Sequence, residues 1–371
     1  MRGIIFYMCL LSLLACNSGN EGQDQSESDV DNIEQWLVFE GDQSNGKEVV
    51  LVSGDEEYRS EEALTQLAKI LSEHHGFKCT VLYAQNPDKP GYVDANFTKN
   101  IPGLEALTTA DLMVIFTRFR ALPDDQMRNF DGYLKAGKPV VGIRTATHAF
   151  NFAKDTVTRY PHYSNYYSGG EAGWTDGFGA LVLGEKWVNH HGHHKHQSTR
   201  GIIAEGAEDH PISNGLESGA IWGPTDVYGI RLPMKGDAKT IVLGQVINRA
   251  GDYDEEDINF GMKETDVELA DVNDKGVKVN TPPMPIAWTR TYQLPDGEKG
   301  RAFTSTIGSS SDMVNEGVRR LLVNGIFWAM DLEVPEKANV SLVGNYDPTA
   351  YGFKSEDYWP ERGMKISELR D

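Results

Sequence analysis

Short apolar runs alternate with longer amphipathic stretches through the first half of the chain, and the alternation has two periods. Glu48-Val49-Val50-Leu51-Val52, Lys78-Cys79-Thr80-Val81-Leu82, Asp111-Leu112-Met113-Val114-Ile115-Phe116 and Pro139-Val140-Val141-Gly142-Ile143 are compact and apolar on both faces. Such runs predict strands buried inside a parallel sheet. Between them, residues 61–75 place Leu64, Leu67, Ala68 and Leu71 on one helical face, with Gly76 as the stop. A second helix is predicted from about Pro123 to Ala136, broken at Gly137. Strands and amphipathic helices in this order predict a mostly parallel sheet with crossover helices on both faces.

The second half is less regular. Residues 238–246 form another apolar strand, and residues 252–278 are acidic with little periodicity, an excursion from the sheet. Residues 285–289 and 300–308 read as adjacent antiparallel strands joined at Pro295-Asp296-Gly297. A closing helix over 313–330 carries Val314, Val318, Leu321, Leu322 and Ile326. One domain over 35–335 follows, with residues 336–371 as a tail wrapping it.

Residues 1–16 change the compartment. A charged start at Arg2 and an apolar run from Ile4 to Leu14 precede Leu13-Leu14-Ala15-Cys16, which reads as a secretory signal ending in a bacterial lipobox. Cys16 would carry the lipid, and polar, acidic residues 17–34 would be a flexible tether. The expected location is a bacterial membrane surface, periplasmic or outer, with the membrane a partner through that anchor. Cys79 is then the sole thiol besides Cys9 and Cys16, a small core residue. A net charge of -20 with no basic block argues against nucleic acid as a partner.

Candidate chemistry gathers where strands end. Ligands of parallel sheets sit beyond the carboxyl ends of the strands, which places three exit loops on one rim: Asp55 to Arg59, Arg118 to Arg120, and Arg144 to His148. The last follows a strand at a sharp turn that would lift the Arg144 side chain above the sheet edge. A guanidinium cannot attack a carbonyl, but it can hold an oxyanion or a sugar oxygen. The competing reading gives Arg144 a structural salt bridge and His148 a helix cap. Asp55, Glu56, Tyr58, Arg59 and Arg118, with Trp222, Asp226 and Tyr228 farther on, offer the carboxylates, guanidiniums and rings that a carbohydrate pocket needs. Five of the ten histidines fall within residues 190–196. His190, His191, His194 and His196 are candidate ligands for a divalent metal, zinc or manganese, or else solvated loop residues. No nucleotide cofactor is expected.

The elbow is similar to that of class I glutamine amidotransferases: Pro139, Val140, Gly142 and Ile143 match, while Arg144 stands where the nucleophilic cysteine would be. A cysteine-dependent amidotransferase is excluded on that ground. From about Val49 to Met330 the chain resembles the ThuA-like (trehalose utilisation) family. The residues that carry the resemblance are Asp55-Glu56-Glu57-Tyr58-Arg59, Gly142-Ile143-Arg144-Thr145-Ala146-Thr147-His148, Leu183-Gly184-Glu185, His190-His191-Gly192, Asp209-His210-Pro211-Ile212, Asp226-Val227-Tyr228, Pro285-Ile286-Ala287-Trp288 and Gly300-Arg301-Ala302-Phe303-Thr304-Ser305. The resemblance implies a three-layer α/β/α fold of flavodoxin-like or glutamine amidotransferase-like type, with insertions and an antiparallel extension. It also implies a carbohydrate substrate, partly through 3-keto-sugars.

The function expected from these readings is an extracytoplasmic enzyme that isomerises, eliminates or hydrolyses a glycoside or keto-sugar. His148 would be the base, and Arg144 or a metal would hold the developing oxyanion. The alternative is a non-catalytic carbohydrate-binding lipoprotein.

Overall fold

The computed structural model describes residues 33–371. Cys16 and all of the expected tether except its last two positions lie outside the described residues. The chain from Glu34 onward folds around one sheet of ten strands: β1 (Trp36–Phe39), β2 (Glu48–Gly54), β3 (Lys78–Tyr83), β4 (Leu112–Thr117), β5 (Val140–Ile143), β6 (Gln197–Ile203), β7 (Ile221–Gly223), β8 (Lys239–Asn248), β9 (Met284–Gln293) and β10 (Lys299–Ser305). Their order across the sheet is β1-β3-β2-β4-β5-β10-β9-β8-β6-β7.

The sheet is mixed, which corrects the expectation of a mostly parallel one. Four neighbouring pairs are parallel, from β3 through β2, β4 and β5 to β10, and the other five are antiparallel. The reason is connection length. Parallel neighbours need a crossover of about a dozen residues or more, normally helical. In the first half such crossovers run through α1 (Ser60–His75) between β2 and β3, through residues 84–111 between β3 and β4, and through α2 (Asp124–Lys135) between β4 and β5, whereas α3 (Glu316–Ala329) follows the last strand. The β9–β10 link instead turns back within a few residues at Asp296, whose φ is 59°.

Alternate residues of the parallel strands feed two cores. Val49 and Leu51 of β2 pack with Leu64 and Leu67 of α1 and with Leu321, Leu322 and Ile326 of α3. Val50 and Val52 point the other way, into a cluster with Met127, Phe130 and Leu134 of α2. Gly76 ends α1 in the left-handed region at φ 70°, as expected from its place after the last apolar position.

Two local features shape the loops that follow β5. No α-helix follows the elbow: β5 runs into a single 3-10 turn, Arg144–His148, and the chain continues through short turns. Thr145 and Thr147 are β-branched, and glycines recur at 169, 170, 173, 177 and 179, a composition with low helix propensity. The histidine tract is not a strand either; regular pairing begins only at Gln197. After Glu333 the chain returns across the parallel half. Met364 and Gly91 exchange hydrogen bonds with the opposing backbone at Val93 and Ile366, flanking α4 (Tyr358–Arg362). Among the described residues no helix is long and apolar enough to cross a membrane.

Candidate active site

The registers Gly54↔Thr117 and Ile115↔Gly142 bring the carboxyl ends of β2, β4 and β5 level, so their exit loops share one rim. Each loop holds one non-glycine residue in the left-handed region: Arg59 at φ 56°, Phe119 at 48° and Arg144 at 47°. Conformations of this kind cost about 1–3 kcal/mol each and persist where the surroundings over-determine them. Here the surroundings are hydrogen bonds between loops. The amides of Phe119 and Arg120 donate to the carbonyls of His148 and Ala149 at 2.9 and 2.7 Å.

Arg144 stands on the perch, with its guanidinium turned inward and only 1% exposed. Nη1 donates to the carbonyls of Asp226 and Thr306 at 2.7 and 2.6 Å. Nη2 donates to Asp226 Oδ1 and to the Tyr58 hydroxyl, both at 3.1 Å. The rings of Tyr228 and Tyr58 lie 3.9 and 4.4 Å from Cζ. Direct contact between Arg144 and a ligand oxygen is therefore corrected to a positioning role: the guanidinium fixes Asp226.

Asp226 is fully buried and carries two imidazoles. His190 Nδ1 lies 2.8 Å from Oδ2 and His194 Nδ1 lies 3.1 Å from Oδ1. The backbone explains the placement. His191 and Gly192 amides donate to the Val227 carbonyl and Gly229 to that of Asn189, an antiparallel bridge that sets His190 against Tyr228. Burial pushes the Asp226 carboxyl up, but hydrogen bonds from both imidazoles and the Arg144 charge outweigh it and hold the group far below the usual carboxylate range. His190 is raised, because its bond to Asp226 overcomes the downward pull of burial, whereas burial wins at His194 and lowers it. Beyond His194, Nε2 is 3.4 Å from Glu57 Oε1. Burial, reinforced by Asp55, pushes Glu57 up to about 8 against the opposing pull of Arg118.

His148 sits on the other flank, its ring 4.9 Å from Phe119, 5.4 Å from Trp187 and 6.1 Å from Tyr228. Nδ1 meets the Thr147 hydroxyl at 3.3 Å, and Nε2 has no partner among the described residues. Burial, then the charges of Arg118, Arg144 and His190, hold its pKa well below the usual value. Both effects favour the neutral, proton-accepting form of the ring. Arg118 is the partly exposed cation of the rim, paired with Glu56 and lying 3.7 Å from Glu57.

Several expected ligand contacts are internal instead. The Asp55 carboxylate accepts from the amides of Glu57 and Tyr58 and from the Thr145 hydroxyl, which leaves it buried and occupied. Glu56 is held by Arg118 and Arg120. Arg59 points away, toward the Glu56 and Gly352 carbonyls and the Trp359 ring. Tyr58 and Tyr228 sandwich Arg144, and Trp222 is a core residue donating Nε1–H to Ser198. His191 and His196 leave the metal set. The first faces inward with Nε2 unpartnered, and the second stacks on His193 at 4.1 Å and on Tyr253 at 4.8 Å. Asp226 takes their place: His190, His194 and Asp226 present donor atoms within 4.8 Å of one another.

The tail supplies residues that the sequence pattern did not single out. Tyr351 stacks on Tyr58 at 5.3 Å and meets His194 edge-on at 5.4 Å, and the Gly352 amide donates to the Glu57 carbonyl at 2.6 Å. Phe353 is 58% exposed, 4.7 Å from the Arg118 guanidinium. Tyr166, 57% exposed, extends the rim at 5.9 Å from Phe119. Two aromatic residues around a glycine, Tyr351-Gly352-Phe353, were the sequence signal available there.

Residues 48–329 match the family model ThuA, trehalose utilisation. The chain belongs to the ThuA family. Two solved structures are similar to it. A ThuA-like protein from Parabacteroides merdae ATCC 43184 is 15% identical, with a TM-score of 0.42 over 84% of this chain and 98% of that one. A ThuA-like protein from Bacteroides uniformis ATCC 8492 is 14% identical, with a TM-score of 0.43 over 78% and 93%. No curated protein matches significantly. ThuA membership gives the chain a sugar-related role, and it leaves Tyr351 and Phe353 outside the matched span.

Proposed function

We propose that this ThuA protein is an enzyme acting on a glycoside oxidised to a keto-sugar, with His148 as the base. The observation that carries the reading is the unpartnered His148 Nε2, set between the Phe119 and Trp187 rings beside Arg118. A keto group at C3 acidifies the C2–H bond. His148 Nε2 takes that proton, the C–H electron pair becomes the C1–C2 double bond, and the glycosidic C1–O bond breaks. The departing oxygen recovers the proton from the same imidazolium, so the step balances without another reactant. Aromatic faces stack the apolar side of the sugar ring, and Arg118 meets the enolate-like oxygen as charge develops there. The Leu13-Leu14-Ala15-Cys16 motif supports a lipid anchor on a bacterial membrane for the same protein.

The test is turnover of a 3-keto-glycoside by wild type and His148→Ala, with circular dichroism as the fold control. Loss of turnover in a folded variant is expected, and undiminished turnover removes the mechanism. The exposed Phe353 and Tyr166 rings favour one further reading, a sugar-binding lipoprotein without catalysis. Calorimetric binding of a keto-glycoside with no product would select it.

A further inference from the structure

We infer that His190, His194 and Asp226 form a binding site for a first-row divalent cation, with zinc the best match. The argument is geometric. Zinc holds imidazole nitrogen at about 2.0–2.1 Å and carboxylate oxygen at about 2.0–2.2 Å, so neighbouring donors in its shell stand roughly 3 Å apart. The two Nδ1 atoms are already 2.8 and 3.1 Å from the two oxygens of one carboxylate. Two imidazoles and a carboxylate are also a set found in catalytic centres that leave positions open.

The surroundings fit an ion of this kind. Asp226 is held from behind by Arg144, whose hydrogen bonds to two backbone carbonyls and the Tyr58 hydroxyl prevent the carboxylate from turning. Outer contacts of that sort orient metal ligands. The charge of Arg144 opposes a cation, and the Asp226 carboxylate that it holds supplies the anionic ligand, while the Glu57 carboxyl lies 3.4 Å from His194 Nε2 as an outer contact. On the open side the His190 and His194 side chains are 33% and 26% exposed, which leaves a path for the ion and for a ligand oxygen. An ion there would face the same rim as His148, but the inference does not depend on the sugar reading.

The test uses the full chain, stripped with a chelator and dialysed, then titrated calorimetrically with Zn²⁺ while the retained metal is counted by elemental mass spectrometry. One zinc per chain is expected. His194→Ala and His190→Ala, each shown folded by circular dichroism, weaken binding by about a hundredfold or more. His196→Ala, which alters a histidine outside the set, binds as wild type does. Cobalt substitution gives an independent readout, a visible d–d spectrum that His194→Ala loses. Wild type that retains no zinc and gives no heat overturns the site, as does unchanged zinc binding in the His190→Ala/His194→Ala double variant. Failure here leaves keto-glycoside turnover untouched as a separate question, since binding is read without substrate.

Discussion

Arg144 and Asp226, 82 positions apart in sequence, form an ion pair at 3.1 Å with side chains 1% and 0% exposed. Breaking a buried pair strands a charge, which typically costs about 3–5 kcal/mol, whereas removing both charges costs far less than the sum. Arg144→Met is therefore expected to lower the unfolding free energy by about that amount. Arg144→Met/Asp226→Asn recovers a large part of the loss. Urea unfolding of the two single variants and the double variant measures the coupling; additive losses would show that the pair is not what holds the loops.

The pH dependence of turnover follows from His148. Its folded pKa lies well below 6.5, lowered by burial and then by Arg118, Arg144 and His190. Protonation that would disable the base therefore begins below the ordinary histidine range, and a cation at Asp226 would push in the same direction. His148 is thus expected to add no acid limb to the kcat/KM profile between pH 8 and 6.5, where Glu57, pushed up to about 8, is the rim group that titrates. An acid limb centred at 6.5 would count against His148 as the proton acceptor.

A separate stability effect belongs to His210, far from the site. Burial, with Lys239 and Arg301 adding to it, lowers this imidazole to about 4. Its Nδ1 accepts from the Ile212 amide at 3.2 Å. Because the unfolded chain binds the proton more readily, stability is full above about 6.5 and declines as pH falls toward 4. Urea midpoints for wild type should drop across that window more steeply than those for His210→Asn, and parallel slopes would refute the assignment.

Phe353 offers a cleaner test of the rim. It is exposed and packs only on the Arg118 guanidinium among its cation contacts, so Phe353→Ala should leave the melting temperature within experimental error. Loss of a stacking face removes binding common to ground and transition states. KM is then expected to rise several-fold, on the order of 1 kcal/mol, with kcat nearly unchanged. A fall in kcat at constant KM would place the ring nearer the reacting atoms.

Much of the parallel half was legible because its signals are local. Val49 to Val52 is apolar without interruption, and the Leu64–Leu67–Leu71 spacing ends at a glycine that adopts the left-handed cap. The antiparallel half was harder to read. β7 is only three residues long, and β6 buries polar Gln197, Ser198 and Thr199 at its start, so their pattern does not separate them from loops. Within the site, the rim loops could be found by rule, but side-chain direction could not. Arg144 and Asp55 look alike in sequence to groups that greet a ligand, yet partners supplied by Tyr58, Thr145 and Asp226 turn them inward. Asp226 as the shared partner of two histidines depends on a bridge between residues 189–192 and 227–229, a contact no local pattern announces.

Tyr351 and Gly352 close against Tyr58 and Glu57 from a segment beyond the family-matched residues 48–329. One wall of the cleft is thus borrowed from a stretch that no strand or long helix of the sheet fixes in place. A nick within that stretch acts on the cleft itself, however distant it looks from the rim loops in a linear map.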